Sequence, residues 1–246
     1  MAKTSGLIVR CYVNGYDISG DANSLDGVGY SQNLMETTAI NSGATSRIIG
    51  LVDGTLSVNV FFEQTSEHAA LLSSNALPTG DRIVMVPMGS AVGDPSAGLV
   101  AKQANYDISD GGVSSPITAK ASFSANGVAP EFGLMTTTHD DTVTSSTSGT
   151  SIDNSASTSD GGSWIYEVMT LSAVGGNARW HLNLQHSADN SAWTDVSSAT
   201  VNASDGTTGL AARTAFTGTL NRYVRQRVVM DASSGTLTYA IAFTRN

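Results

Sequence analysis

The sequence predicts an all-β fold with one short helix, and three observations predict it. Charged residues make up only 13% of the chain, too few for the Glu- and Lys-rich outer faces of helices, while Ser, Thr, Gly and Ala abound. Apolar residues recur with a period of two in one segment after another, which is the repeat of a half-buried strand. Gly, Pro and Asp stand between those segments at turn positions. With 246 residues, the chain has room for two ordinary domains, each with its own core.

The elements follow in order. LIVRCYV at 7–13 places Leu7, Val9, Cys11 and Val13 on one face. In TLSVNVFF at 55–62, Leu56, Val58, Val60 and Phe62 alternate with Thr55, Ser57, Asn59 and Phe61, the clearest strand of the first half. QTSEHAALLSSNAL at 64–77 departs from the pattern. Thr65 or Ser66 caps a short helix near 65–77 that shows Ala69, Leu72 and Ala76 on one face, and Pro78 ends it. RIVMV (82–86), LVAKQANYDI (99–108) and ITAKASFSA (117–125) are further strands. From Thr136 to Gly162 large apolar residues almost vanish and Ser and Thr dominate. A stretch that buries so little does not offset its chain entropy, so residues 139–162 are expected to form a Ser/Thr-rich linker or long exposed loop. It separates a domain at 1–138 from a second at 163–246. In the latter, SWIYEVMTL, ARWHLNLQHS, WTDVSSATV, RYVRQRVVM and LTYAIAFTR predict a C-terminal β-sandwich or jelly-roll domain.

A net charge of −9 and a pI near 4.7 argue against gripping nucleic acid through a basic surface. Cys11 is the only cysteine, so no disulfide forms within the chain, and a reduced buried thiol is expected. No apolar run approaches the roughly eighteen residues of a membrane helix, and no export signal is read at the start of the chain. The triplet Asn202-Ala203-Ser204 is therefore read as an accidental glycosylation sequence.

Candidate chemistry is sparse. GYDISGDANSLDG at 15–27 is rich in carboxylate oxygens but fails the calcium-loop template. Counting from Asp21, Leu25 takes the fifth place and Asp26 the sixth, where Gly is needed; counting from Asp17, Ala22 takes the sixth. Neither register reaches Glu at the twelfth. His181 and His186 fall on opposite faces of a strand, and His139-Asp140-Asp141, which could recruit a cation, sits in the expected linker where nothing holds it rigid. No G-x-S-x-G elbow and no Gly-Lys-Ser/Thr phosphate loop occurs, and no pair of carboxylates stands out for glycoside chemistry. No metal, no cofactor and no enzymatic activity are expected. Arg222, Arg225 and Arg227 form the one basic cluster; in an acidic chain they read as salt-bridge partners for aspartates of the same chain or of a neighbouring subunit. Trp193 follows a turn and is the best candidate for an exposed aromatic ring, a platform for sugar binding.

The first half nonetheless carries a recognisable arrangement. YDISGDANSLDGVGYSQNLMETTAI, then SRIIGLVDGTLSVNVFFEQ, the short helix, GDRIVMVPMGS and ASFSANG resemble the major tail, or tail tube, proteins of long non-contractile-tailed bacteriophages over about residues 5–135. The second half is similar, more weakly, to β-sandwich segments near the C-terminal ends of phage virion proteins. The resemblance implies a tail-tube-like β-sandwich whose sheets join between subunits into a ring, usually a hexamer, with rings stacked into a tube. It implies a virion protein of the tail, made in the host cytoplasm, whose partners are itself and the tape-measure and tail terminator or tip proteins. DNA passes through the tube without specific binding during genome ejection, and an acidic wall suits a polyanion that must slide. A hairpin or loop around Met35–Gly50 is implied to reach the next ring, which makes Met35, Glu36, Thr37, Ile40, Arg47 and Ile48 candidate inter-ring or inter-subunit contacts. The second domain decorates the outside, or else both halves build the wall and three subunits close the ring. The alternatives are a carbohydrate-binding or adhesion module on a virion surface and a capsid decoration protein.

Overall fold

The computed structural model describes residues 8–63, 70–72, 76–205 and 209–246, which fold almost wholly as antiparallel strands in two sheets. The first half supplies β1 (Tyr12–Val13), β2 (Tyr16–Asp17), β3 (Ala22–Glu36), β4 (Arg47–Phe61), β5 (Arg82–Pro87), β6 (Pro95–Asp110), β7 (Ile117–Ala125) and β8 (Glu131–Met135). The second half supplies β9 (Asp141–Val143), β10 (Thr147–Ser148), β11 (Ile152–Asp153), β12 (Gly162–Val174), β13 (Arg179–Ser187), β14 (Thr194–Asn202), β15 (Leu210–Phe216), β16 (Tyr223–Asp231) and β17 (Ser234–Arg245). The helix expected near 65–77 falls mostly on 64–69 and 73–75, outside the described residues; Ala70 and Leu71 between them are buried.

The long strand β6 organises the first half. Along one edge it pairs with β5; along the other it meets β8 through Pro95–Gly98 and β7 through Ala101–Asp110, with the Asn126 N–H donating to the Val100 carbonyl (2.8 Å) where the two meet. β7 passes the sheet on to β4 and β3, while β8 passes it to β17 through Met135↔Ala242 and Leu134↔Phe243. Both halves therefore share one 12-stranded sheet, and five strands of the second half (β10, β11, β13, β14, β16) form the facing layer of a sandwich.

Three apolar clusters hold this together. Leu56, Val58 and Val60 of β4 join Ala119, Ala121 and Phe123 of β7 in the first core, as alternation requires. Trp180, Leu182 and Leu184 of β13 face Leu237, Tyr239, Ile241 and Phe243 of β17 in the second. The third lies between the halves, where Tyr12, Ile83 and Met85 meet Ile165, Ala240 and Ala242. That junction is why β5 is buried on both faces instead of alternating. It also corrects the reading of 7–13: the strand is only Tyr12–Val13, and Tyr12 is as buried as its neighbours Cys11 and Val13 because the second half covers it. Leu7 is outside the described residues.

Glu167 of β12 is fully buried at this junction. Its carboxylate side accepts the Gly15 N–H at Oε2, while Oε1 has no partner. Burial pushes this carboxyl well above the usual range; the Gly15 N–H and the Arg82 charge counter only part of the rise.

Residues 139–162 are not a linker between separate bodies. β9 pairs with β17, and β10 and β11 pair in succession with β16. Ser and Thr bury little surface, but the edges of β16 and β17 offer unpaired backbone groups that such a segment satisfies. Ile152 and Val143 anchor it to the second core.

Candidate functional site

The most distinctive surface is a protruding arm. β3 and β4 pair from Ala22↔Val60 to Glu36↔Arg47, but β7 supports β4 only over Thr55–Phe61. Among the described residues Gly29–Glu36 and Arg47–Gly54 consequently have no third strand, and at about 3.3 Å per residue the eight-residue arm reaches about 26 Å. Its tip closes through Thr37 N–H to the Ser46 carbonyl (2.9 Å) and Ser46 N–H to Thr38 Oγ1 (2.9 Å). Its root is pinned where Gly54 lies under Pro130; a β-carbon there would stand 2.1 Å from Pro130 Cγ, so only glycine fits. Tyr30 packs on Phe132 beside it, with ring centroids 5.9 Å apart.

The arm is apolar on both faces. Leu34 opposes Ile49 on one face and Met35 opposes Ile48 on the other, and a register shift between Gln32 and Leu34 breaks the alternation at Gly50 and Leu51. Leu51 is 89% exposed, Ile49 65% and Leu34 57%, and Ile40 at the tip is fully exposed. A two-stranded ribbon in water is marginal by itself, and exposed apolar surface of this extent marks an interaction site. The candidates Met35, Glu36, Thr37, Ile40, Arg47 and Ile48 all fall on the distal arm, with Met35 facing Ile48 and Glu36 facing Arg47 across the strands. Sequence reasoning missed Leu34, Ile49, Leu51 and Tyr30. The run IIGLV at 48–52 held the signal: apolar residues on both faces without a break.

At the base of the arm, the sheet of β3, β4, β7 and β6 turns a hydrophilic face away from the first core. Register aligns Asp26, Ser57, Ser122 and Asn105 in one row and Ser24, Asn59, Lys120 and Asp107 in the next. Asn59 donates to Ser24 (2.9 Å) and Asp26 (3.1 Å), Ser57 and Ser122 share a hydrogen bond (3.0 Å), and Lys120 stands 3.9 Å from Asp26. The side chains are short, and among these eight residues Lys120 is the one cation. Strand edges are open beside this face: β3 pairs only with β4, and among the described residues no strand pairs with β6 beyond Ala101 on its β5 side.

The other candidates lie in the second half. Arg222 forms a two-point ion pair with Asp153 of its own chain (2.6 Å each), which holds that carboxyl down at about 2. Arg225 stacks over Trp193, 4.0 Å from the ring centroid, and donates to Gln185 (2.9 Å). Trp193 is thus half-buried with Arg225 across its ring, not an open platform. Arg227 is exposed on the same outer face of β16. The Asp-rich opening loop is used locally: Asp17 caps the Ser19 N–H (2.8 Å) and pairs with Arg10 (3.4 Å). Among the described residues no group of three or more His, Cys, Asp or Glu is placed to hold a metal ion. His139 accepts from Arg10, His181 contacts Thr200, and His186 accepts the Asn221 N–H; His68 is outside the described residues.

No protein-family profile matches the chain, and no curated protein matches it. Solved structures do resemble it in part. A chain of the sheath–tube complex of the PVC extracellular contractile injection system aligns with a TM-score of 0.42 at 11% identity, over 54% of this chain and 92% of that one. A chain from the tail of an empty gene transfer agent particle, solved with C6 symmetry, aligns with 0.40 at 12% identity, over 51% and 96%. The SPP1 Dit protein, a hub of the adsorption apparatus in phages infecting Gram-positive bacteria, aligns with 0.34 at 12% identity, over 95% and 98%. At these scores the likenesses are partial matches of chain trace and assign no role.

Proposed function

We propose that the chain is a structural virion subunit that self-assembles into stacked rings forming a phage tail tube, an acidic conduit for DNA ejection. The observation that carries this reading is the arm: about 26 Å of ribbon, apolar on both faces, that the described residues of its own chain leave uncovered. Such a feature is stable when a second subunit covers it, and repeating that contact head to tail generates rings or filaments. The open edges of β3 and β6 let the sheet continue from one subunit to the next, which removes the unpaired edges that invite aggregation.

In this assembly the face bearing Asp26, Ser57, Asn59, Ser122, Asn105 and Asp107 lines the lumen. Short neutral side chains leave the bore smooth, and the carboxylates repel the phosphate backbone instead of holding it. Among the described residues the second half has no comparable arm, so each chain supplies one wall unit, six chains close a ring, and the C-terminal sandwich stands outside it. The tape-measure protein, the terminator and the tip proteins are the expected partners, and the chain acts without cofactor or catalysis. Sedimentation velocity over a rising concentration series tests the proposal: growth through rings to large polymers supports it, and a monomer at all concentrations refutes it.

A further inference from the structure

Another open strand edge lies in the second half of the chain. β15 ends one side of the 12-stranded sheet: it pairs with β12, and among the described residues no strand pairs with its far side. The ladder shows which of its backbone groups are free. The Asn246 N–H donates to the Gly161 carbonyl, so on β12 Ser163, Ile165 and Glu167 bond to β17, while Gly162, Trp164, Tyr166 and Val168 bond to β15. Opposite the latter stand Phe216, Thr214, Ala212 and Leu210, which leaves Ala211, Arg213 and Ala215 with N–H and C=O directed away from the sheet. A groove runs beside this edge. Two hollows of about 530 and 470 Å3 share Val128 and Arg213 and together follow β15, from Tyr30 and Phe132 at the root of the arm to Ile83 and Val100 on β5 and β6. The middle of the groove is neutral, because Glu131 holds Arg213 through two hydrogen bonds (2.8 and 2.6 Å).

On the reading that a second subunit covers the arm, we infer that the β15 edge is the surface that does so: Arg47–Gly54 of β4 in one copy adds as a further strand beside β15 of the next. The β15 edge carries none of the devices that ordinarily keep an edge unpaired. It has no proline, no lysine and no bulge, its side chains are mostly small, and its one charge is tied to Glu131. The arm is open in the matching way, since β7 pairs with β4 only from Thr55 onward and Arg47–Gly54 has an unpaired edge among the described residues. The lengths agree. Seven residues of β15 run about 23 Å, against about 26 Å for the arm. Of the two arm strands, β4 brings the apolar residues Ile48, Ile49, Leu51 and Val52, whereas β3 brings Ser31, Gln32 and Asn33 at the same level. Val100, Val128 and Phe132 in the groove therefore select β4. Strand addition of this kind takes its affinity from main-chain hydrogen bonds and its selectivity from the side chains that the groove accepts.

Hydrogen exchange read by mass spectrometry on the full chain, dilute and at assembling concentration, tests the inference. In the dilute chain the amides of Ala211, Arg213 and Ala215 should exchange freely. On assembly the fragment spanning Leu210–Phe216 should gain protection at those amides, together with the fragment spanning Arg47–Gly54. Ala215→Pro removes one outward N–H and leaves the β12 ladder whole, so association in sedimentation velocity should weaken about tenfold while the dilute chain melts as the parent does. Ala215→Lys places a guarding charge at the same position without altering the backbone, and should weaken association even if the proline variant folds poorly. Assembly that protects Arg47–Gly54 but not Leu210–Phe216 overturns the inference and leaves the tube reading standing, as does association unchanged in both variants. Protection of Leu210–Phe216 alone overturns the arm as its occupant. A chain that stays monomeric at every concentration refutes the tube reading, and the inference falls with it.

Discussion

Replacing Ile49 and Leu51 together by Ser removes two apolar side chains from the arm. In the isolated chain both are largely exposed, at 65% and 89%, so the change should move folding stability by less than about 0.5 kcal/mol. In an assembly that covers the arm the same side chains are buried. Full burial of an Ile or Leu is worth about 1.5–3 kcal/mol. Scaled by the exposure each has to lose, the pair contributes about 2.5–4.5 kcal/mol per contact, or about 70- to 2,000-fold in association. Sedimentation velocity of parent and variant at matched concentrations measures the shift, and thermal melting by circular dichroism checks the fold. Unchanged association would refute the reasoning, because the arm would then contribute nothing to self-contact. A melting point lowered by several degrees would refute it differently, by showing that these side chains pack within their own chain.

Two further perturbations follow. The Glu167 carboxyl has a raised pKa in the folded chain, so its contribution to stability is complete below about pH 4.3, the ordinary glutamate value, and is lost as pH rises through the folded value. Over that interval the slope is about 1.4 kcal/mol per pH unit. Glu167→Gln should flatten the decline in urea unfolding experiments between pH 4.5 and 8; parallel profiles for parent and variant would contradict it. Reversing two charges on the hydrophilic sheet face, Asp26→Lys with Asp107→Lys, should leave assembly intact and make the assembled particles retain short duplex DNA at low salt. Co-sedimentation of labelled DNA measures this, and absence of retention would place that face away from the lumen.

How much of this was legible in the sequence depended on how far each contact lies along the chain. The strands β4, β13 and β17 were readable because one face of each packs on a core while period-two alternation marks it, as in Leu56, Val58 and Val60. The junction was not readable. Tyr12, Ile83, Met85 and Ile165 are buried by a partner layer more than fifty residues away in sequence, and no local pattern encodes that covering. The strand β3 went unread because its exposed positions carry no alternation and Gly27 and Gly29 interrupt it; its pairing is dictated by β4. The Ser/Thr-rich stretch misled because it meets its backbone hydrogen bonds at the edges of β16 and β17, where little apolar burial is needed. At the candidate site, the tip residues Met35 to Ile48 were reachable through the resemblance alone. Leu34, Ile49 and Leu51 were missed because apolar residues in a predicted strand are ordinarily assigned to a core, and only the absence of a third strand among the described residues shows them exposed.

Negative-stain electron microscopy of the purified full chain at high concentration tests self-assembly into a tube most directly. Stacked rings and hollow tubes of uniform bore, with the C-terminal sandwich projecting outside, are the expected result. Discrete monomers or trimers that never stack, at every concentration and salt condition, would contradict it.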